Sequence, residues 1–204
     1  MKKPSRPAAE PLQQATGSNG SWTFAPATAD RWPDIESLFA GCGDARRCWC
    51  GFWYRENKDF RAGYGDDNRR FLQGMVEAGR VPGALAYSGG AAVGWCGIAP
   101  RADQSRLARS HVLAPVDDRP VWSITCFVVA HGSRRRGLMR PLIAAAVDFA
   151  RERGASVIEA YPLDAVRKLY PGEIYVGTAA AFRDQGFAEV ARRSPTRPIM
   201  RREL

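Results

Sequence analysis

Three arginines stand together in "HGSRRRGLMRP": Arg134, Arg135 and Arg136, followed at once by Gly137 and an apolar run. Guanidiniums and a glycine at a helix start are the makings of an anion site. The free N–H groups of a helix N-terminus carry partial positive charge, and a glycine lets the backbone come close to a ligand. Phosphate groups suit such a loop. Spacing excludes two phosphate loops. Gly-x-x-x-x-Gly-Lys-Ser/Thr is absent, and Gly137 stands alone where a dinucleotide fingerprint has three glycines.

Other reactive side chains are fewer. Cys42, Cys48 and Cys50 lie close together, but no fourth ligand stands at zinc-like spacing, so a packed apolar cluster is the better reading and no metal is expected. Cys126 lies in an apolar run without a histidine placed to activate it, which favours core packing. His131, in the arginine loop, reads as solvent-facing; His111 is the other histidine. Glu159 sits in a second apolar run, where such surroundings raise a carboxyl's basicity as a general base requires; the alternative is a structural pair with an arginine. Asp164 is a weaker candidate for the same role. Tyr175, in "YPGEIYVGT", offers either a proton-donating hydroxyl or a packed ring. Trp49, Phe52, Trp53, Tyr54 and Trp95 could wall a cleft for a flat or apolar ligand, or fill the core.

The elements that must position these residues follow from pattern. "WTFAPAT" reads as a strand and "ADRWPDIESLFAG" as a helix with Asp30 as N-cap. "CGDARRCWCGFWYRENKDFRAGYG" is irregular and rich in aromatics, and "DDNRRFLQGMVEAGR" is helical in spacing. "GALAYSG" and "AAVGWCGIAP" flank Ser88-Gly89-Gly90 as a hairpin, and "SRLARS" reads as a short helix. "VWSITCFVVA" is β-branched and almost wholly apolar, as a strand covered on both faces would be. After the arginine loop, Leu138, Leu142, Ala145, Ala146 and Phe149 share one helix face, with Gly154 as stop. "ASVIEAYP" is a further strand, so residues 121–161 form a crossover that sets two strands parallel. "GTAAAFRDQG" is a short helix capped by Thr178 and stopped by Gly186, and "FAEVARR" and "PIMRREL" close the sheet.

Length and charge bound the answer. The 204 residues suit one domain, 22–204, behind a flexible tail, 1–21, whose Pro, Gln, Ser and Gly content cannot bury enough surface to order itself. That tail lacks the apolar stretch of a secretory signal, and no run approaches the ~20 apolar residues of a membrane helix. Five cysteines, an odd count, fit reduced thiols in the cytoplasm. A net charge of +9 favours anionic partners without choosing among them.

What remains in the loop is Arg-x-x-Gly-x-Met after "FVV", Arg134 to Met139. It resembles the pyrophosphate loop of the GNAT superfamily of N-acetyltransferases, Gln/Arg-x-x-Gly-x-Gly/Ala. The preceding strand is similar to the family's fourth, whose splayed end offers backbone amides to pantetheine. "AAAFRDQGF" resembles the last-helix signature, an aromatic residue four before Gly-Phe. The likeness is specific over about residues 121–190. It implies a mixed α/β (α+β) central sheet of six to seven strands flanked by helices on both faces. It implies acetyl-CoA as co-substrate, held by Phe127, Val128, Val129, Arg134, Arg135, Arg136, Gly137, Leu138, Met139 and Phe182. Two positions depart from the pattern. Met139 replaces Gly or Ala, and Phe182 replaces a tyrosine that often protonates the departing thiolate. Glu159 as base and Tyr175 as acid are the candidates to complete catalysis, and Trp49, Trp53 and Trp95 those to line the acceptor site.

The expected activity is acetyl transfer to the primary amine of a small molecule, direct and in a ternary complex. A protein lysine or N-terminus as acceptor, and a non-catalytic acetyl-CoA-binding module, stay open. Nucleic acid is disfavoured because no binding motif accompanies the arginines. No membrane partner is expected, and a homodimer is a family-level expectation.

Overall fold

The apolar run around Ile124 becomes the strand on which the molecule is organised. The computed structural model describes residues 13–17, 20–164 and 175–204. Eight strands form one sheet in the order β1-β2-β3-β4-β5-β6-β8-β7. They are β1 (Gln13–Gly17), β2 (Gly20–Pro26), β3 (Gly83–Ser88), β4 (Ala91–Pro100), β5 (Trp122–Val129), β6 (Val157–Ala160), β7 (Ala188–Arg192) and β8 (Pro198–Glu203). Only β5 and β6 pair in parallel among these, as the crossover reading requires. The sheet has one strand more than expected. Residues 13–17, assigned to the tail by composition, pair with β2 as β1. The outer edge of β2 would otherwise present a row of unpaired backbone groups, and pairing there requires no apolar side chains.

Helices cover both faces. On one face α6 (Met139–Glu152) packs with α7 (Ala179–Arg183) over Trp22, Phe24, Cys96, Ile124 and Phe127. On the other, α1 (Trp32–Ala40), α2 (Ala45–Cys48) and the turn at Gly51–Trp53 cover Leu85, Trp95, Cys126 and Val128. The remaining helices are α3 (Asn57–Ala62), α4 (Asp66–Glu77) and α5 (Ser105–Ala108). The helix expected to have Asp30 as N-cap starts one residue later. Ala29–Arg31 form a separate 3₁₀ turn and Arg31 holds the N-cap position, with Pro33 in the first turn of α1. The segment read as irregular contains the short helices α2 and α3. Among the described residues no helix is long and apolar enough to cross a membrane.

The central strands are irregular in two ways that open space beside β5. Opposite β4, Gly97 pairs with Cys126 and Ile98 with Ile124, so Thr125 is an extra residue, a β-bulge. In a regular strand Ile124 and Cys126 would share a face. The bulge instead leaves Ile124 under α6 and turns Cys126 to the opposite side. On the other flank, β5 and β6 stay paired only from Trp122↔Ile158 to Ile124↔Ala160. Beyond Ile124 the two strands part, and residues 126–129 pair with β4 alone.

Candidate active site

Where β5 leaves β6, a cavity opens on each side of the strand. The first, about 540 Å³, is lined by Phe127 and Val129 of β5 and by His131, Arg134, Arg135, Gly137 and Met139 of the loop into α6. The second, about 580 Å³, is lined by Thr125, Cys126 and Val128 of β5 and by the aromatic-rich segment around α2. Alternate residues of one strand thus face two different cavities. Tyr175 lines both.

The first cavity is built for anions. The opening turn of α6 aims its free N–H groups out of the helix start, and Pro141, third in the helix, has no N–H to leave unpaired. Gly137 has φ +84°, and a Cβ there would meet nothing within 4 Å, so the position is open space in a backbone conformation that side chains rarely adopt. Arg135 also has positive φ, 61°, a strain of about 1 kcal/mol or more for a residue with a Cβ. Arg134 Nε donates to the Val129 carbonyl at 3.0 Å, which holds its guanidinium along the strand end. No carboxylate among the described residues lines this cavity. The loop is held close to the sheet because β4 has a glycine beneath it: a Cβ on Gly94 would come within 2.9 Å of Leu138 Cδ2. These residues fit a ligand with several phosphates.

The second cavity is mostly apolar. Phe39, Phe52, Trp53 and Phe60 supply rings, and Cys48, Cys50 and Cys126 supply thiols. Phe52 meets Trp53 edge-on at 5.0 Å and Phe60 at 5.5 Å. All five cysteines of the chain are free. Burial pushes the Cys48 thiol up to about 12, and the neighbouring Cys126 and burial push Cys50 well above the ordinary thiol range. Neither is a thiolate at neutral pH, so neither is an activated nucleophile. Among the described residues no group of three or more His, Cys, Asp or Glu is placed to hold a metal. Trp49 and Cys50 both lie in the left-handed region, at φ 47° and 53°, where the chain turns from α2 into the cavity wall. Asp44, just before α2, is the carboxylate of this cavity among the described residues.

Tyr175 joins the two. Burial raises the pKa of its hydroxyl, and the Asp44 carboxylate raises it further, while Arg134 opposes them. The group therefore stays protonated through neutral pH, as a proton donor must.

The sequence of this chain matches the model of the Acetyltransferase (GNAT) family over residues 32–172. The chain belongs to that family. Acetyl-CoA is its co-substrate and acetyl transfer its reaction class. Solved structures share the GNAT fold at low identity. An acetyltransferase of the GNAT family from Listeria monocytogenes is 15% identical with a TM-score of 0.58, covering 94% of this chain and 100% of that one. A polyamine N-acetyltransferase of Drosophila melanogaster is 10% identical at TM-score 0.55, covering 90% and 100%. The PaiA N-acetyltransferase of Thermoplasma acidophilum, in complex with coenzyme A, is 8% identical at TM-score 0.51, covering 90% and 99%. No curated protein matches the sequence.

Of the cofactor residues that the GNAT likeness implies, seven line the anion cavity: Phe127, Val129, Arg134, Arg135, Gly137, Leu138 and Met139. Val128 faces the second cavity instead, because of the bulge. Arg136 is exposed and lines neither. Phe182, at the GNAT tyrosine position, is fully buried. It packs edge-on against Phe127 at 6.0 Å and Phe187 at 5.1 Å and reaches neither cavity. Of the acceptor candidates, Trp53 lines the second cavity, whereas Trp49 and Trp95 are core. Phe39 stacks on Trp49 at 5.3 Å and meets Trp95 edge-on at 5.3 Å.

Glu159 is not placed to act as a base. It is 1% exposed and lines neither cavity. Its Oε1 lies 2.7 Å from Arg201 Nη2 and its Oε2 3.7 Å from Arg101 Nη1. Tyr161 Oη donates to it at 2.9 Å. Glu159 is thus a structural partner of arginines, and it stitches β6 to β8. Asp164 is committed to Arg192 and Arg183, which hold its carboxyl below the usual range. Sequence patterns gave no sign of Thr125, Asp44 or Arg197 as cavity residues.

Proposed function

We propose that this chain acetylates the primary amine of a small molecule, directly and with both substrates bound at once, using Tyr175 as the proton donor. The observation that carries the reading is the place of Tyr175 on the walls of both cavities. Coenzyme A phosphates take the anion cavity, at Gly137, Arg134 and Arg135. The acyl end passes the gap between β5 and β6, where the outward amides of residues 127–129 polarise the thioester carbonyl. The amine enters from the aromatic cavity, and Asp44 takes the proton it sheds. Nitrogen attacks the carbonyl carbon, the C–S bond breaks, and the Tyr175 hydroxyl gives its proton to the leaving thiolate. Phe182 then has no proton to supply and needs none. A cavity of about 580 Å³ lies within the ~300–1,000 Å³ of small-molecule sites, which supports a small acceptor over a protein. The free thiols favour a cytoplasmic setting.

Three cysteines line the acceptor cavity, so the rival chemistry is a covalent acetyl-cysteine. Mixing the protein with acetyl-CoA and no amine separates the two. Direct transfer predicts no stoichiometric burst of free thiol and initial-rate lines that intersect when both substrates are varied. A burst, with an acetyl group found on Cys48, Cys50 or Cys126, would overturn it.

A further inference from the structure

Among the described residues, one cation in the acceptor cavity has no partner. Arg197, at the end of the turn between β7 and β8, lines that cavity. Its Nε is fully buried without a hydrogen bond. Among the described residues its guanidinium makes no ion pair, and no neighbouring charge acts on it, only burial. Other arginines of this region are matched. Arg201 holds Asp117 at 2.5 Å and Glu159 at 2.7 Å, and Arg192 holds Asp164 and Glu189, each at 2.6 Å. Asp164, whose N–H bonds the Thr196 carbonyl at 3.0 Å, is already taken by Arg192 and Arg183. Arg197 is partly exposed, but its Nε lies out of solvent with no acceptor, and a buried donor left unpaired is unfavourable. A planar fork of donors is suited to a carboxylate. Asp44, which also acts on Tyr175, lines the same cavity and suits an ammonium. The wall between is rings and thiols. Arg47, also on the cavity wall, is spent on the Tyr64 ring at 5.3 Å.

Resting on the proposed amine acetylation, we infer that the acceptor is an amino acid in the broad sense: an amine joined through an apolar or aromatic body to a carboxylate, which Arg197 binds. With Arg47 turned to Tyr64, the cavity offers Asp44 to the amine and Arg197 to the acid, and an amine without an acid leaves Arg197 unmatched.

Paired probes test this. L-phenylalanine and 4-(aminomethyl)benzoate carry the acid; phenethylamine and benzylamine are their acid-free counterparts. Each is titrated by calorimetry into protein saturated with coenzyme A, then offered with acetyl-CoA while thiol release is followed. In the wild type at least one acid-bearing probe binds more tightly and has a lower KM than its counterpart. In Arg197→Met that preference falls about 10- to 100-fold, the usual worth of a charge-assisted bond, and Arg197→Lys restores part of it. Unchanged melting and unchanged acetyl-CoA affinity show the variants to be folded. Equal binding of the two classes, binding of neither acid, or a preference untouched by Arg197→Met overturns the inference. Acetylation of the neutral amines alone would sink it while leaving the acetylation reading intact. Acid binding lost in Arg197→Met without any acetyl transfer would do the reverse.

Discussion

The two cavities beside β5 are of similar size but made differently. The anion cavity sets a helix start, one glycine at positive φ and two arginines beside an apolar wall of Phe127, Leu138 and Met139. The second cavity, proposed for the acceptor, is walled by rings and thiols from a segment turned by two strained residues, Trp49 and Cys50. The contrast has a chemical meaning. On the proposed reading, the phosphates of a donor common to the family meet cations and a helix start, while the acceptor meets rings and thiols particular to this chain.

Substitutions can break or sharpen that contrast. The largest effect is expected for Gly137→Asp. It places a Cβ at φ +84° and a carboxylate against the phosphates, at about 1–3 kcal/mol for the backbone alone, so the Kd for acetyl-CoA in calorimetry rises about 100-fold or more. Acceptor binding that fell equally would show that the cavities are not separable. Glu159→Gln comes next and acts on stability. It leaves Arg201 and Arg101 short of a counter-charge inside the protein, and denaturant unfolding should show a loss of about 3 kcal/mol. Turnover per folded molecule stays as it was; a selective fall in kcat would restore Glu159 to the chemistry. Smallest is Arg136→Ala. That side chain is exposed and lines neither of the two cavities, so acetyl-CoA affinity at physiological salt changes by less than about twofold. A large loss would mean that the whole arginine run, not Arg134 and Arg135, holds the phosphates.

The same contrast explains what was legible in the sequence. The anion loop and its crossover are local: apolar strand, arginines, glycine and apolar helix face follow one another within residues 121–154, so their order is their structure. Glu159 looked like a base because its partner Arg201 is 42 residues away and its charge balance is tertiary. Trp95 looked like a cleft residue and is core because α1 brings Phe39 across it. The bulge at Thr125 exists only in the register with β4, and without it Cys126 and Val128 would face α6. Arg197 lines the second cavity from a turn beyond β7, and no spacing rule links it to Cys48 or Trp53. β1 was missed because its pairing is made by backbone, for which composition carries no sign.

In the proposed mechanism the chemistry turns on Tyr175, which lines both cavities. The pH dependence of kcat in the wild type and in Tyr175→Phe tests its role most directly. Its pKa is raised in the folded protein, so activity should persist through neutral pH and fall only as pH climbs through a value above the ordinary tyrosine's ~10. In Tyr175→Phe that alkaline limb should vanish and kcat should drop about 100-fold or more, with the Kd for acetyl-CoA within a few-fold of wild type. A variant that keeps the wild-type kcat and the same alkaline limb would contradict the assignment, and the proton would have to reach the thiolate from elsewhere.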